Sequence, residues 1–196
     1  VRDRIKRLEN DLLLVRKQRS QQKSKRNKKN LPVISIIGYT NAGKSTLLNT
    51  LTKSRVRTEN RLFATLDPSS RRLKFPQDIE VIVTDTVGFI KNLPKDLMVA
   101  FRATLEELEG ADLLLHIIDI SNPRFKDQIK SVEKILIDLN LEDIPLIRVL
   151  NKMDLVGQAT TEQFSRNFDA TAISAKQAST LLPLIQKMKD KIQHQL

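Results

Sequence analysis

Apolar positions change period along this chain, and each change marks a different kind of element. Ile5, Leu8, Leu12 and Val15 recur at spacings of three, four and three, which predicts an amphipathic helix rather than a strand. A stripe that short is unstable alone in water and wants a partner. Residues 20–30, SQQKSKRNKKN, hold no apolar side chain and predict a basic linker. From residue 32 onward, short apolar runs alternate with helical patterns: VISIIG, STLLNTLTK, IEVIVTD, MVAFRATLEELEG, ADLLLHIIDI, DQIKSVEKILIDL, IPLIRVLNK and TLLPLIQKMKDKI. The runs at 33–37, 81–83, 113–118 and 146–150 are almost continuous in β-branched residues and leucine, as strands covered on both faces must be. The expectation is an α/β chain with a parallel, doubly wound sheet. It divides into 1–22, the end of a helical arm; 23–31, a basic linker; and 32–196, the folded domain. Ligands of such sheets bind at the carboxyl ends of the strands.

Composition sharpens this without changing it. At 196 residues and 40% hydrophobic content the chain can bury one full core but not two. The net charge of +11 suggests a polyanion partner until it is mapped. Residues 1–30 hold twelve Lys/Arg against three Asp/Glu, leaving 22 against 20 for the rest, so the excess belongs to the arm. That arm reads either as solvated linker or as a nucleic-acid contact whose affinity falls steeply with salt. No cysteine is present, which excludes disulfides and thiolate chemistry and makes the cytoplasm the default compartment. No apolar run approaches the roughly 20 residues of a membrane span. The chain opens on Val1 and is expected to be a monomeric piece of a longer protein.

The loops after the strands carry the chemistry. Gly38-Tyr39-Thr40-Asn41-Ala42-Gly43-Lys44-Ser45 fits G-x-x-x-x-G-K-[ST] between a strand and a helix, and the candidate set runs on to Thr46. Its glycines let the backbone wrap a phosphate, and the helix presents its positive end to the anion. Lys44 supplies a point charge for the β- and γ-phosphates, and Ser45 a hydroxyl for Mg²⁺. In Asp85-Thr86-Val87-Gly88, the carboxylate can hold a magnesium-bound water and the glycine N–H can meet the γ-phosphate. In Asn151-Lys152-Met153-Asp154, the Asp154 carboxylate can accept from guanine N1–H and N2–H₂, where adenine offers an acceptor instead. Asn151 and Lys152 would brace that loop and flank the base. Ser174-Ala175-Lys176 offers a backbone N–H for the guanine carbonyl and a lysine stem along the ring. Between the first helix and the second apolar run, Phe63-Ala64-Thr65-Leu66-Asp67, followed by Pro68, sits in a long polar loop that could close on a ligand, with the Thr65 hydroxyl oxygen on Mg²⁺ and its backbone N–H donating to the γ-phosphate. Lys44, Thr65 and Gly88 are the expected catalytic contributors, and Ser45, Thr65 and Asp85 (through water) the expected metal set. GTP, GDP and Mg²⁺ are therefore the expected ligands. His116 and His194 find no convergent ligands, Asp119 is expected to cap the next helix, and Leu182, Ile185 and Met188 to pack on the sheet.

The order GYTNAGKS, FATLDP, DTVGF, NKMD and SAK resembles the translation-factor-related P-loop GTPases. DTVGFIKNLP at 85–94, FRATLEE at 101–107 and the basic helical arm are similar to the HflX family in particular. The resemblance implies a G domain with a mostly parallel six-stranded sheet flanked by helices, preceded by an amphipathic helix. It also implies association with the large ribosomal subunit and ribosomal RNA, through an upstream domain and the arm. Many GTPases carry glutamine directly after D-x-x-G; here that residue is Phe89, so slow intrinsic turnover is expected and a GTP/GDP-sensing module with negligible hydrolysis is the alternative. Asn41 occupies the position at which potassium-activated relatives help to hold K⁺; it also reads as a turn asparagine.

Overall fold

The computed structural model describes residues 31–52, 69–75, 79–86, 88–89 and 106–194. By its contacts the chain divides into Val1–Leu31 and Pro32–Leu196, and the description below concerns the second unit; the helix expected at 1–22 and all of the linker expected at 23–31 except Leu31 lie outside the described residues. Six strands form one sheet: β1 (Val33–Gly38), β2 (Ser69–Lys74), β3 (Glu80–Asp85), β4 (Leu113–Asp119), β5 (Leu146–Asn151) and β6 (Ala170–Ala172), in the order β2-β3-β1-β4-β5-β6. All neighbours are parallel except β2 and β3. The described helices are α1 (Lys44–Thr52), α2 (Phe125–Asp138), α3 (Gln158–Asn167) and α4 (Leu182–Gln193). None is long and apolar enough to cross a membrane.

Side chains alternate across the sheet, as the strand period requires. Ile34, Ile36, Leu113, Leu115 and Ile117 join one cluster, with Leu47 and Leu48 of α1 and Leu184 and Met188 of α4. Ile37 and Leu114 join another on the opposite face, with Val132 and Leu136 of α2. His116 lies in β4, fully buried; desolvation first, and Arg148 second, holds its imidazole down to about 3, so it is a neutral core residue.

Two elements escape the apolar pattern for physical reasons. β2, SSRRLK, is an antiparallel edge strand with one apolar residue, Leu73, packed on the core. α3, QATTEQFSRN, has a single buried residue, Thr161, and so carries no apolar stripe. One core expectation is corrected. Leu182 is 68% exposed, because α4 starts there with Pro183 in its first turn, and that register turns Leu184, Met188 and Ile192 inward. Ile185 packs only partly.

Candidate functional site

Each strand that feeds a motif ends on that motif's first residue: β1 on Gly38, β3 on Asp85, β5 on Asn151. These ends lie together because β1 is paired in parallel with β3 and β4, and β4 with β5. The phosphate loop leaves β1 and turns through Asn41 at φ 63° and Gly43 at φ 97° into α1. Ala42 N–H donates to Tyr39 O at 3.2 Å, and Lys44 Nζ folds back to the same carbonyl at 3.0 Å. Lys44 is buried, and desolvation holds its ammonium down at about 8 although the Asp85 carboxylate pulls the other way. A buried lysine short of negative charge is chemically ready for an anion. Ser45, Thr46 and the rest of the first turn of α1 stand at the positive end of that helix.

Asp85 is fully buried at the end of β3, and Ser45 Oγ donates to its Oδ2 at 2.6 Å. This pair fits a magnesium ion. A serine hydroxyl oxygen and a carboxylate are both hard-cation groups, the first as a direct ligand and the second as an acceptor from a metal-bound water. No group of three or more His, Cys, Asp or Glu among the described residues could hold a metal, so phosphate oxygens and waters would have to complete the shell. Thr86 is turned away from the rim: its hydroxyl and its N–H both donate to Ile36 O, at 2.7 and 3.3 Å. It therefore anchors the loop to β1 and offers a ligand nothing from its side chain. Gly88 and Phe89 lie against the phosphate loop. Phe89 N–H donates to Gly38 O at 3.0 Å, Thr40 N–H donates to Phe89 O at 2.9 Å, and a Cβ on Gly88 would come within 2.8 Å of Lys44 Nζ. The Thr40 N–H is thus committed to protein rather than to a phosphate. The Phe89 ring is fully buried in the cluster with Ile37, Leu108 and Leu114, which accounts for an apolar residue at this position by packing.

On the other side of the rim, Asn151 ties three loops together. Its Nδ2 donates to Ala42 O at 2.7 Å in the phosphate loop, and its Oδ1 accepts from Ala175 N–H at 2.9 Å. Asn151 is buried, so both ends of the amide are satisfied by these loops rather than by water. Lys152 follows in the left-handed region at φ 67° and forms an ion pair with Asp119 at 2.7 Å. Met153 N–H donates to Ile173 O at 3.2 Å. Asp154 is exposed and makes no hydrogen bond or ion pair with another described residue, so it is not acting as a turn cap. In the last loop Ser174 N–H donates to Thr180 Oγ1 and Ala175 N–H to Asn151, leaving the Lys176 N–H as the uncommitted backbone N–H of that run among the described residues. A surface cavity of about 610 Å³ touches this region through Met153 and through Ala172 at the end of β6, and is otherwise lined by Val156 and residues of α3.

Phe63, Ala64, Thr65, Leu66, Asp67 and Val87 lie outside the described residues. The rest of the motif set is gathered along one rim. Asp119 joins it against expectation: it does not cap α2, where Asn122 Oδ1 accepts from Arg124 N–H at 2.9 Å instead. No local sequence pattern marks it: its place follows from the pairing of β4 with β5, which sets it directly opposite Asn151.

Against this geometry stand the likenesses to other proteins. The family model described as 50S ribosome-binding GTPase matches residues 33–152. GTPase HflX of Caldanaerobacter subterraneus subsp. tengcongensis is 53% identical over 156 residues, 80% of this chain and 36% of that protein. GTPase HflX of Escherichia coli K12 is 45% identical over 156 residues, 80% of this chain and 37% of its own length. The chain therefore spans little more than a third of these curated relatives. Among solved structures, a GTP-binding protein from the hyperthermophilic archaeon Sulfolobus solfataricus in complex with GDP superposes with a TM-score of 0.68 at 27% identity, covering 98% of this chain and 62% of that one. With a G-domain sheet, the Gly38–Ser45 and Asn151–Asp154 loops at its strand ends, and these relatives, the chain belongs to the HflX family of GTPases.

Proposed function

We propose that this domain binds GTP and GDP with Mg²⁺ and hydrolyses GTP as a conformational switch that acts on the large ribosomal subunit. The observation that carries the reading is the Asn151 bridge, because it fixes the Gly38–Ser45 loop, the Asn151–Asp154 loop and the Ser174–Lys176 loop to one another. Lys44 would meet the phosphate oxygens, and the Asp154 carboxylate would accept from guanine N1–H and N2–H₂. The Lys176 N–H would donate to the guanine carbonyl. Ser45, and Asp85 through water, would hold Mg²⁺, with Thr65 as a further ligand from the expected switch loop; the metal neutralises charge developing on the phosphates. Gly88 would sense the γ-phosphate, since its Cα already lies against Lys44 and Thr40 and must yield to an incoming group.

Phe89 cannot orient a water, and its burial keeps it from the rim, which supports slow intrinsic turnover and a need for outside help. One source is a K⁺ ion near Asn41, which is exposed in the left-handed conformation beside the phosphate loop; a fixed cation there would act as an arginine finger does. The other is the ribosome. The family description supports that partner, as do Lys126, Lys130 and Lys134, which recur every four residues on the exposed side of α2. The cytoplasm follows from such a partner. Single-turnover GTP hydrolysis tests the reading. Slow cleavage alone, faster cleavage in K⁺ than in Na⁺, and marked stimulation by large ribosomal subunits are expected. No hydrolysis under any of these conditions would leave the GTP/GDP-sensing alternative standing.

Lys44 gives the phosphate contact a pH signature. Its ammonium titrates at about 8 in the free domain, and phosphates beside it raise that value on binding. Below pH 8 both states hold the proton and affinity is flat. Above pH 8 only the bound state holds it, so affinity falls by up to about tenfold per pH unit and binding takes up a proton. Calorimetric titration with GDP in buffers of different ionisation enthalpy at pH 7 and pH 9 checks this: proton uptake near zero at pH 7 and substantial at pH 9.

A further inference from the structure

We propose that Asp119 is a positioning residue for base recognition: it pins the Lys152 side chain along the rim so that its methylene stem forms a fixed wall of the guanine site. The inference rests on the guanine reading of Asp154 and names a partner that the motif itself does not contain.

Asp119 closes β4 directly opposite Asn151 of β5. Its carboxylate is held by three donors. Oδ1 accepts from Ser121 N–H at 3.1 Å and Ser121 Oγ at 2.6 Å, and Oδ2 accepts from Lys152 Nζ at 2.7 Å. The Ile120 N–H donates to Asn151 O at 3.2 Å, which locks the same corner through the backbone. Lys152 is constrained at both ends: its backbone is turned to φ 67°, which few non-glycine residues adopt, and its ammonium is tied to Asp119. The stem between these two fixed points spans from the base loop to the end of β4, two residues from Asp154. The side chains of the pair are 24% and 13% exposed, so water weakens the pair less than it would a surface one.

A lysine stem carries large rotamer freedom. Free in solution it would have to be ordered when a purine arrives, whereas here Asp119 orders it beforehand, which is how preorganisation raises affinity. The chemistry predicts a loss confined to the base half of the ligand. Asp119→Asn keeps the size and the Ser121 acceptor but removes the charge that holds Lys152.

The test uses the full chain and two probes: GDP, and magnesium pyrophosphate as a ligand with phosphates and no base, measured by competition against a fluorescent GDP analogue. Asp119→Asn is expected to weaken GDP roughly tenfold, the scale of ordering one such side chain, and to leave pyrophosphate unchanged. In a Lys152→Met background the same substitution is expected to do nothing further, because the stem is no longer tethered. An unchanged GDP affinity, an equal loss for both probes, or a full effect persisting beside Lys152→Met would each overturn the proposal alone. Equal binding of GDP and ADP by the unsubstituted protein would instead remove the guanine reading, and this proposal with it.

Discussion

Asp154→Asn is expected to exchange guanine for xanthine as the preferred base. The carboxylate presents two acceptors, which match the adjacent N1–H and N2–H₂ donors of guanine. An amide presents one acceptor and one donor, so the guanine amino group loses its acceptor and meets a donor. Xanthine has a carbonyl oxygen in place of that amino group and accepts from the new amide. Sites built on such hydrogen bonds discriminate by about 10⁴, and most of that ratio should reverse. Because Asp154 is exposed and bonded to no described residue, the exchange removes nothing from the fold, and Asn151 keeps its bonds to Ala42 and Ala175. Competition of XDP and GDP for the variant, with the melting temperature of the free protein as control, decides it. Retained GDP affinity with no gain for XDP would mean that the base is read elsewhere.

That Asp154 could be singled out from sequence, while Asp119 could not, shows where legibility ends. Strands β1, β3, β4 and β5 were legible because they are buried on both faces, and a doubly buried strand must be almost wholly apolar. Their last residues, Asp85, Asp119 and Asn151, are polar but still paired in the sheet, so the apolar runs end one or two residues before the strands do. The loops were legible because fixed spacing after a strand is local information. Asp119 depends on register instead: its partner is 33 residues away and lies beside it only because β4 and β5 pair Asp119 with Asn151. The same is true of the Ser45–Asp85 contact and of the Asn151 bridge to Ala42, which spans 109 residues. Edge strand β2 and helix α3 were illegible because neither buries an apolar face large enough to leave a pattern. Leu182 misled because an apolar residue at the start of a helix obeys the cap rather than the stripe.

Gly43→Ala should disable both halves of the nucleotide site at once, although it adds only a methyl group. Gly43 sits at φ 97°, a conformation that a side chain at this position strains by roughly 1–2 kcal/mol. The space is also occupied: a Cβ there would lie 2.2 Å from Asn151 Nδ2, so the amide must move. When it moves, Ala42 O and the Ala175 N–H lose their partner inside the protein. Leaving such buried groups unsatisfied costs about 1–3 kcal/mol each. Strain and the two unsatisfied groups together cost about 3–8 kcal/mol, which for a domain of this size lowers the melting temperature by roughly 6–30 °C. The functional loss should exceed the loss of stability, because the displaced amide is the link between phosphate loop and base loop. GDP and pyrophosphate should both weaken by more than about a hundredfold at temperatures where the variant is still folded. Gly157→Ala is the matched control. Gly157 lies at φ −61° with nothing within 4 Å of an added Cβ, and replacing it should cost well under about 1 kcal/mol and leave both ligands unchanged. If Gly43→Ala melts like Gly157→Ala and binds GDP normally, Asn151 is not the link that joins the two loops.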